Sequence, residues 1–197
     1  MQTTSNTKQS RPPQTVAIMY GFSEGPGLAN AFTDALEKAG FQVIADVMQA
    51  DIIVAHSGGC YLVPEDSRAG LVILLGATFW PGRPLFIRAM QKIWRDSASH
   101  WQAGQFGAWG KKLFWHSTYF WCMPRNVAMW RHQDPKTWPK LAGKRVVHIR
   151  YTDDAFCGPA IATSGLLPNA TFVNLSGQHD ELWRHPEQTV AVIRKNS

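Results

Sequence analysis

Short, mostly apolar runs separated by polar, glycine-containing links dominate the first part of the chain. Residues 15–20, 41–46, 52–55 and 71–75 are such runs. Their lengths, aliphatic content and turn-rich borders predict strands buried on both faces, as in a parallel sheet. Between the first two, Leu28, Phe32, Ala35, Leu36 and Ala39 recur at helical spacing and Gly40 follows, which predicts an amphipathic helix stopped at the glycine. The same pattern returns after residue 140. Residues 145–151 and 170–175 read as strands, with a turn at Thr152, Asp153 and Asp154 and a short helix over 159–166 between them. Pro186 opens a closing helix that runs to Ile193. Strands alternating with helices imply the α/β class: a mostly parallel, twisted sheet with helices on its faces.

Residues 79–140 break this pattern. Eight of the nine tryptophans fall here, with ten Lys and Arg against only Asp96 and Asp134. Phe86, Met90, Ile93 and Trp94 share one helical face while Arg88, Lys92 and Arg95 lie off it, and a less regular aromatic stretch covers 106–121. The segment reads as an insertion into a core made of 15–78 and 141–197. Three readings stand for it. Its aromatic residues pack a small helical cap; or they line a cap over the site and select an apolar acyl or alcohol group; or basic charge interleaved with tryptophan meets an anionic membrane surface transiently.

Composition narrows the classes further. A chain of 197 residues with 17% charged residues supports one well-buried domain. The net charge of +6 comes without any nucleic-acid-reading module, so no nucleic-acid partner is expected. Residues 1–14 are polar, lack the apolar run of a signal peptide and read as a disordered tail; no run is long enough to span a membrane. Cys60, Cys122 and Cys157 are odd in number and widely spaced, which suits reduced packing thiols and a cytoplasmic protein. His100, His116, His132 and His185 have no partners at metal-ligand spacing, so no metal is expected.

The chemistry gathers at the third strand. Four apolar residues lead directly into His56-Ser57-Gly58-Gly59, leaving no room for a loop, so the strand ends in a sharp turn. A serine held there projects its hydroxyl above the sheet edge, and its neighbours two away must be small, here Ala55 and Gly59. Such a serine is a nucleophile only if a histidine takes its proton and a carboxylate fixes that histidine's tautomer. Asp153 and Asp154 follow one later strand and His179 follows the last, in the order Ser57, Asp, His179. Elbow, acid, histidine and order together resemble the α/β-hydrolase superfamily, over about residues 16–193, and residues 177–187 look like its histidine loop and last helix. The resemblance implies a trimmed α/β-hydrolase fold with 79–140 as the variable cap.

It also implies roles. In that family the acid is followed by a small residue or proline and then an apolar one, which Asp154-Ala155-Phe156 fits, leaving Asp153 to the turn. The first oxyanion donor would be the backbone N–H of Gly58. The second would be that of Phe22, because Tyr20-Gly21-Phe22 resembles the family's His-Gly-X with Tyr replacing His. His56 reads as structural, His148, within a strand, as a core group with its hydrogen bonds satisfied, and Cys60 and Cys157 as packing residues. A second departure is the link from Asp46 to Asp51, too short for the helix the family places there. The implied activity is hydrolysis of a carboxylic ester or related acyl bond of a small-molecule substrate through Ser57, His179 and Asp154, without a cofactor. Two other classes remain in view. One is a hydrolase-like binding protein. The other is a dinucleotide-binding oxidoreductase built on Gly25-Pro26-Gly27 and Asp46, which has Asn30 where close helix packing wants a small residue.

Overall fold

A computed structural model of the chain describes residues 12–21, 26–77, 104, 141, 143–154 and 167–197. Six strands form one sheet: β1 (Thr15–Met19), β2 (Gln42–Val43), β3 (Ile52–His56), β4 (Leu71–Leu75), β5 (Arg145–Tyr151) and β6 (Thr171–Leu175). Their order is β2-β1-β3-β4-β5-β6, and every neighbouring pair is parallel. This is the α/β architecture expected. Every residue of β3 and β4 is buried, which is why these runs are continuous aliphatics rather than alternating patterns.

Successive residues of each strand serve opposite faces. On one face Val16, Ile52, Val54, Ile73, Leu75, Val147 and Ile149 pack against three helices: α1 (Asn30–Lys38), α2 (Glu181–Arg184) and α3 (Glu187–Asn196). Phe32 and Leu36 are the buried residues of α1; Leu182, Val190 and Ile193 are contributed by the last two helices. Tyr151 Oη and Thr189 Oγ1 share a buried 2.7 Å hydrogen bond that ties α3 to β5. On the other face Ala17, Ile53, Ala55, Val72, Leu74 and Val146 pack with Cys60, Tyr61 and Val63, which follow β3. Truncating a fully buried leucine or isoleucine in either layer to alanine costs about 2–5 kcal/mol.

β2 is shorter than its apolar run predicts, and its register explains the short link that follows. It pairs only at the amino end of β1, Thr15 with Gln42 and Val16 with Val43, while Val16 also pairs with Ile52 of β3. The chain therefore leaves β2 at the level where β3 must enter, and a turn at Asp46–Gln49 suffices. Asp46 is exposed in that turn, accepting the Met48 N–H at 2.9 Å. The adjacent Asp51 pins the two strand starts together. Its Oδ2 accepts the Thr15 N–H at 2.9 Å and the Thr15 hydroxyl at 2.8 Å, and Arg68 meets its Oδ1. The Thr15 backbone bond, then Arg68, hold its carboxyl down at about 2.

The closing helix begins one residue after Pro186 and extends three residues beyond its predicted end, to Asn196. No helix among the described residues is long and apolar enough to cross a membrane. The predicted helix over 159–166 lies outside the described residues, as does the 79–140 insertion apart from Gly104.

His148 departs from expectation. It is buried, but among the described residues neither ring nitrogen meets a hydrogen-bond partner. Its register neighbours are Leu74 and Phe172, which offer none, and the Phe172 ring packs edge-on at 5.4 Å. Burial, and then the charge of Arg150, lower its pKa to about 4. The folded chain thus holds His148 neutral where the unfolded chain, at about 6.5, already binds a proton. Stability is lost as pH falls from the unfolded value to the folded one, by about 3 kcal/mol at most from this residue. In urea unfolding at pH 7, 5.5 and 4, His148→Leu will show a flatter decline than the wild type; parallel curves would refute the assignment.

Candidate active site

The turn after β3 is under backbone strain. His56 is still extended, at φ −110° and ψ 138°, and Ser57 then takes φ +52°, alone among non-glycine described residues in having a positive φ. A buried serine is thus held in a strained, sharp turn between a strand and a helical segment. The segment that follows, Ser57–Leu62, is a 3₁₀ helix. It lies so close to the end of β1 that a Cβ on Gly59 would stand 2.6 Å from the Met19 carbonyl oxygen and 2.8 Å from that of Tyr20. Only glycine permits this approach, and Gly58, the residue before it, is buried. Phe22 lies outside the described residues. Cys60 is buried and donates its thiol to the Ala55 carbonyl at 3.1 Å, a packing role.

Asp154 and His179 meet at the same edge of the sheet. Their Oδ2 and Nδ1 atoms are 2.7 Å apart; the carboxylate is fully buried and the imidazole 13% exposed. A buried carboxylate needs such a partner, since an isolated charge there would be strongly disfavoured. Asp153, by contrast, is exposed, and its N–H donates to the Gly177 carbonyl at 2.9 Å, tying the acid's loop to the histidine's. Gly76, the residue after β4, forms the floor of the pair. It sits at φ +53°, and a Cβ there would lie 3.1 Å from His179 Nδ1 and 3.2 Å from Asp154 Oδ2.

His56 does more than its structural reading suggested. It belongs to the β3 row that faces the helices, and its Nε2–H donates to the His179 carbonyl at 2.8 Å. The two imidazoles have centroids 4.7 Å apart, and Trp183 of α2 packs edge-on against His56 at 5.3 Å. The loop after β6 therefore reaches back across the ends of β5 and β4 to the end of β3, and Ser57, Asp154 and His179 share one edge. Among the described residues, no three His, Cys, Asp or Glu side chains gather to hold a metal ion.

No protein-family model matches the sequence, and no curated protein matches it. Solved structures do match the fold. An α/β-hydrolase enzyme from a lagoon-sediment metagenome is 14% identical, with a TM-score of 0.57 over 93% of this chain and 90% of that one. The chain has the α/β-hydrolase fold. A monoacylglycerol lipase from Paleococcus ferrophilus, 15% identical, matches at a TM-score of 0.53 over 94% of this chain and 96% of that one. The thioesterase of the prodiginine pathway in Streptomyces coelicolor, 11% identical, matches at 0.58 over 95% and 90%. In this version of the α/β-hydrolase fold the six parallel strands set Ser57, Gly76, Asp154 and His179 along the carboxyl edge of β3, β4, β5 and β6.

Gly76 and His56 were not legible as site residues. A glycine ending a buried strand signals a turn but not what stands above it, and a histidine beside the elbow serine does not disclose its side chain's face. Gly76→Ala combines a left-handed alanine, costing about 1–2 kcal/mol, with a methyl group pressed on the His179–Asp154 bond. In histidine-¹⁵N-labelled protein the low-field Nδ1–H proton of His179 will exchange faster with water in this variant than in the wild type. An unchanged resonance would remove Gly76 from the site.

Proposed function

We propose that this chain is a serine hydrolase that cleaves a carboxylic ester or a related acyl bond through an acyl-enzyme. The observation that carries the reading is the buried 2.7 Å Asp154–His179 pair at the same sheet edge as a serine forced to positive φ. Two proteins that share the fold, a monoacylglycerol lipase and a thioesterase, support an acyl substrate.

In this mechanism His179 Nε2 takes the Ser57 hydroxyl proton as Oγ attacks the carbonyl carbon. The oxyanion is held by the backbone N–H groups of Gly58 and Phe22, each worth about a hundred- to a thousandfold in rate. Collapse breaks the bond to the leaving group, which receives the proton from His179 and departs. Water then gives its proton to His179, attacks the acyl carbon and releases the acid with Ser57 restored. Asp154 holds Nδ1–H throughout and stabilises the imidazolium. The aromatic, basic 79–140 segment is assigned the role of a cap that meets an apolar substrate group.

Hydrolysis of p-nitrophenyl esters from acetate to decanoate tests this directly. Ser57→Ala will lose at least about ten-thousandfold in kcat and all labelling by a fluorophosphonate. Turnover unchanged in Ser57→Ala would eliminate the mechanism. Asp154→Asn will fall about ten-thousandfold in kcat through the wrong histidine tautomer, whereas Asp153→Asn will stay within about threefold of wild type. The reverse ranking would move the acid to Asp153.

A further inference from the structure

His56 and Ser57 are consecutive, and they bear on the same histidine in different ways. Ser57 is the nucleophile of the proposed reaction. The His56 ring lies on the helix-facing side of the sheet, wholly buried, and donates its Nε2–H to the backbone carbonyl of His179. We propose that His56 is a positioning residue that locks the base to the nucleophile through a single peptide bond. The inference rests on the acyl-transfer reading above.

The physical argument is one of restraint. His179 follows a strand three places away from β3 in the sheet, so roughly 14 Å of strand spacing separates the two elements. It lies on a short loop beyond an edge strand whose residues are all exposed or half-buried. The Asp154 bond holds one end of the residue, the side chain's Nδ1. The His56 bond holds the opposite end of the residue, its main chain, and does so from the strand that carries Ser57. Movement of β3 relative to the loop then carries serine and histidine together.

The His56 ring is itself fixed. Trp183 packs edge-on against it, while the same indole stacks on Tyr20 at 6.1 Å and meets Phe32 edge-on at 6.0 Å. β1, β3, α1 and α2 are thereby joined under the histidine loop. Because the acceptor is a carbonyl, Nε2 must carry a proton, so the donor is required and cannot be replaced by a ring without N–H. Proton transfer over a serine–histidine contact is steep in distance, and displacements near 1 Å cost about a hundredfold.

Two substitutions separate the hydrogen bond from the packing. His56→Phe keeps a ring against Trp183 and removes the donor; His56→Gln restores an N–H near the Nε2 position without the ring. With p-nitrophenyl butyrate, His56→Phe will lose about 10- to 100-fold in kcat with KM within about twofold, and His56→Gln will recover most of that loss. The low-field Nδ1–H proton of His179, assigned by its absence in Asp154→Asn, will persist in His56→Gln and exchange rapidly in His56→Phe. Should His56→Phe not fold, His56→Met, also without a donor, takes its place.

Wild-type kcat with an unchanged resonance in the donorless variant would overturn the proposal. So would a His56→Gln variant as impaired as His56→Phe, which would assign the effect to ring packing. If the wild type neither turns over any ester nor reacts with a fluorophosphonate, the acyl-transfer reading fails, and the resonance comparison still decides whether His56 positions His179.

Discussion

Four neighbouring strands, β3 to β6, run parallel in continuous register, and that forces the segment leaving each of them to the same edge of the sheet. Ser57, Gly76, Asp154 and His179 span 122 positions of sequence from first to last, yet each is among the first residues beyond its strand. A parallel sheet is buried on both faces, so its interior positions are committed to packing and its carboxyl edge is where polar chemistry can gather. Nothing else about the site could assemble without that common direction.

At that edge the site depends on small residues standing aside. Gly59 lets the elbow press on the end of β1, and Gly76 leaves the space in which a buried carboxylate meets its imidazole. Each absence of a side chain is matched by a local cost: Ser57 is held at a φ that serine adopts rarely, and Asp154 is withdrawn from water. The Asp154–His179 bond offsets the second of these, and the tightly packed β3–β4 core resists relaxation of the first. The opposite edge is stabilised differently. There Asp51 joins the starts of β1 and β3 by hydrogen bonds from Thr15, and Arg68 reaches it from the surface. The amino edge holds the strands in place, while the carboxyl edge gathers Ser57, Asp154 and His179.

The aromatic column of Tyr20, Trp183, His56 and His179 runs beneath the histidine loop and links it to β1, α1 and the elbow strand. A loop of short reach beyond an edge strand would otherwise be the least constrained part of the site. Packing here adds to the loop's hydrogen bonds, such as that of the Gly177 carbonyl with Asp153, and it comes from residues far apart in the chain.

Much of this was open to reading in the chain itself. Unbroken aliphatic runs such as 71–75 can be satisfied only by burial on both faces, so the parallel sheet follows from local pattern. The elbow was legible because a strand cannot run straight into Ser-Gly-Gly without a tight turn, and Asp154 and His179 because each follows a strand. The strand over 41–46 was overread, because apolar character does not say how long a neighbour is available, and β1 offers β2 only its amino end. Side-chain direction was likewise closed. Whether Asp153 or Asp154 meets the histidine, whether His56 faces the loop, whether His148 finds a partner and what lies above Gly76 all depend on which atoms the fold brings within about 3 Å. Sequence determined the elements, their order and the chemical types available, since these are local properties of pattern and propensity; the tertiary structure alone decided which of those groups touch, since contact across strands is set by register, twist and packing that no local pattern encodes.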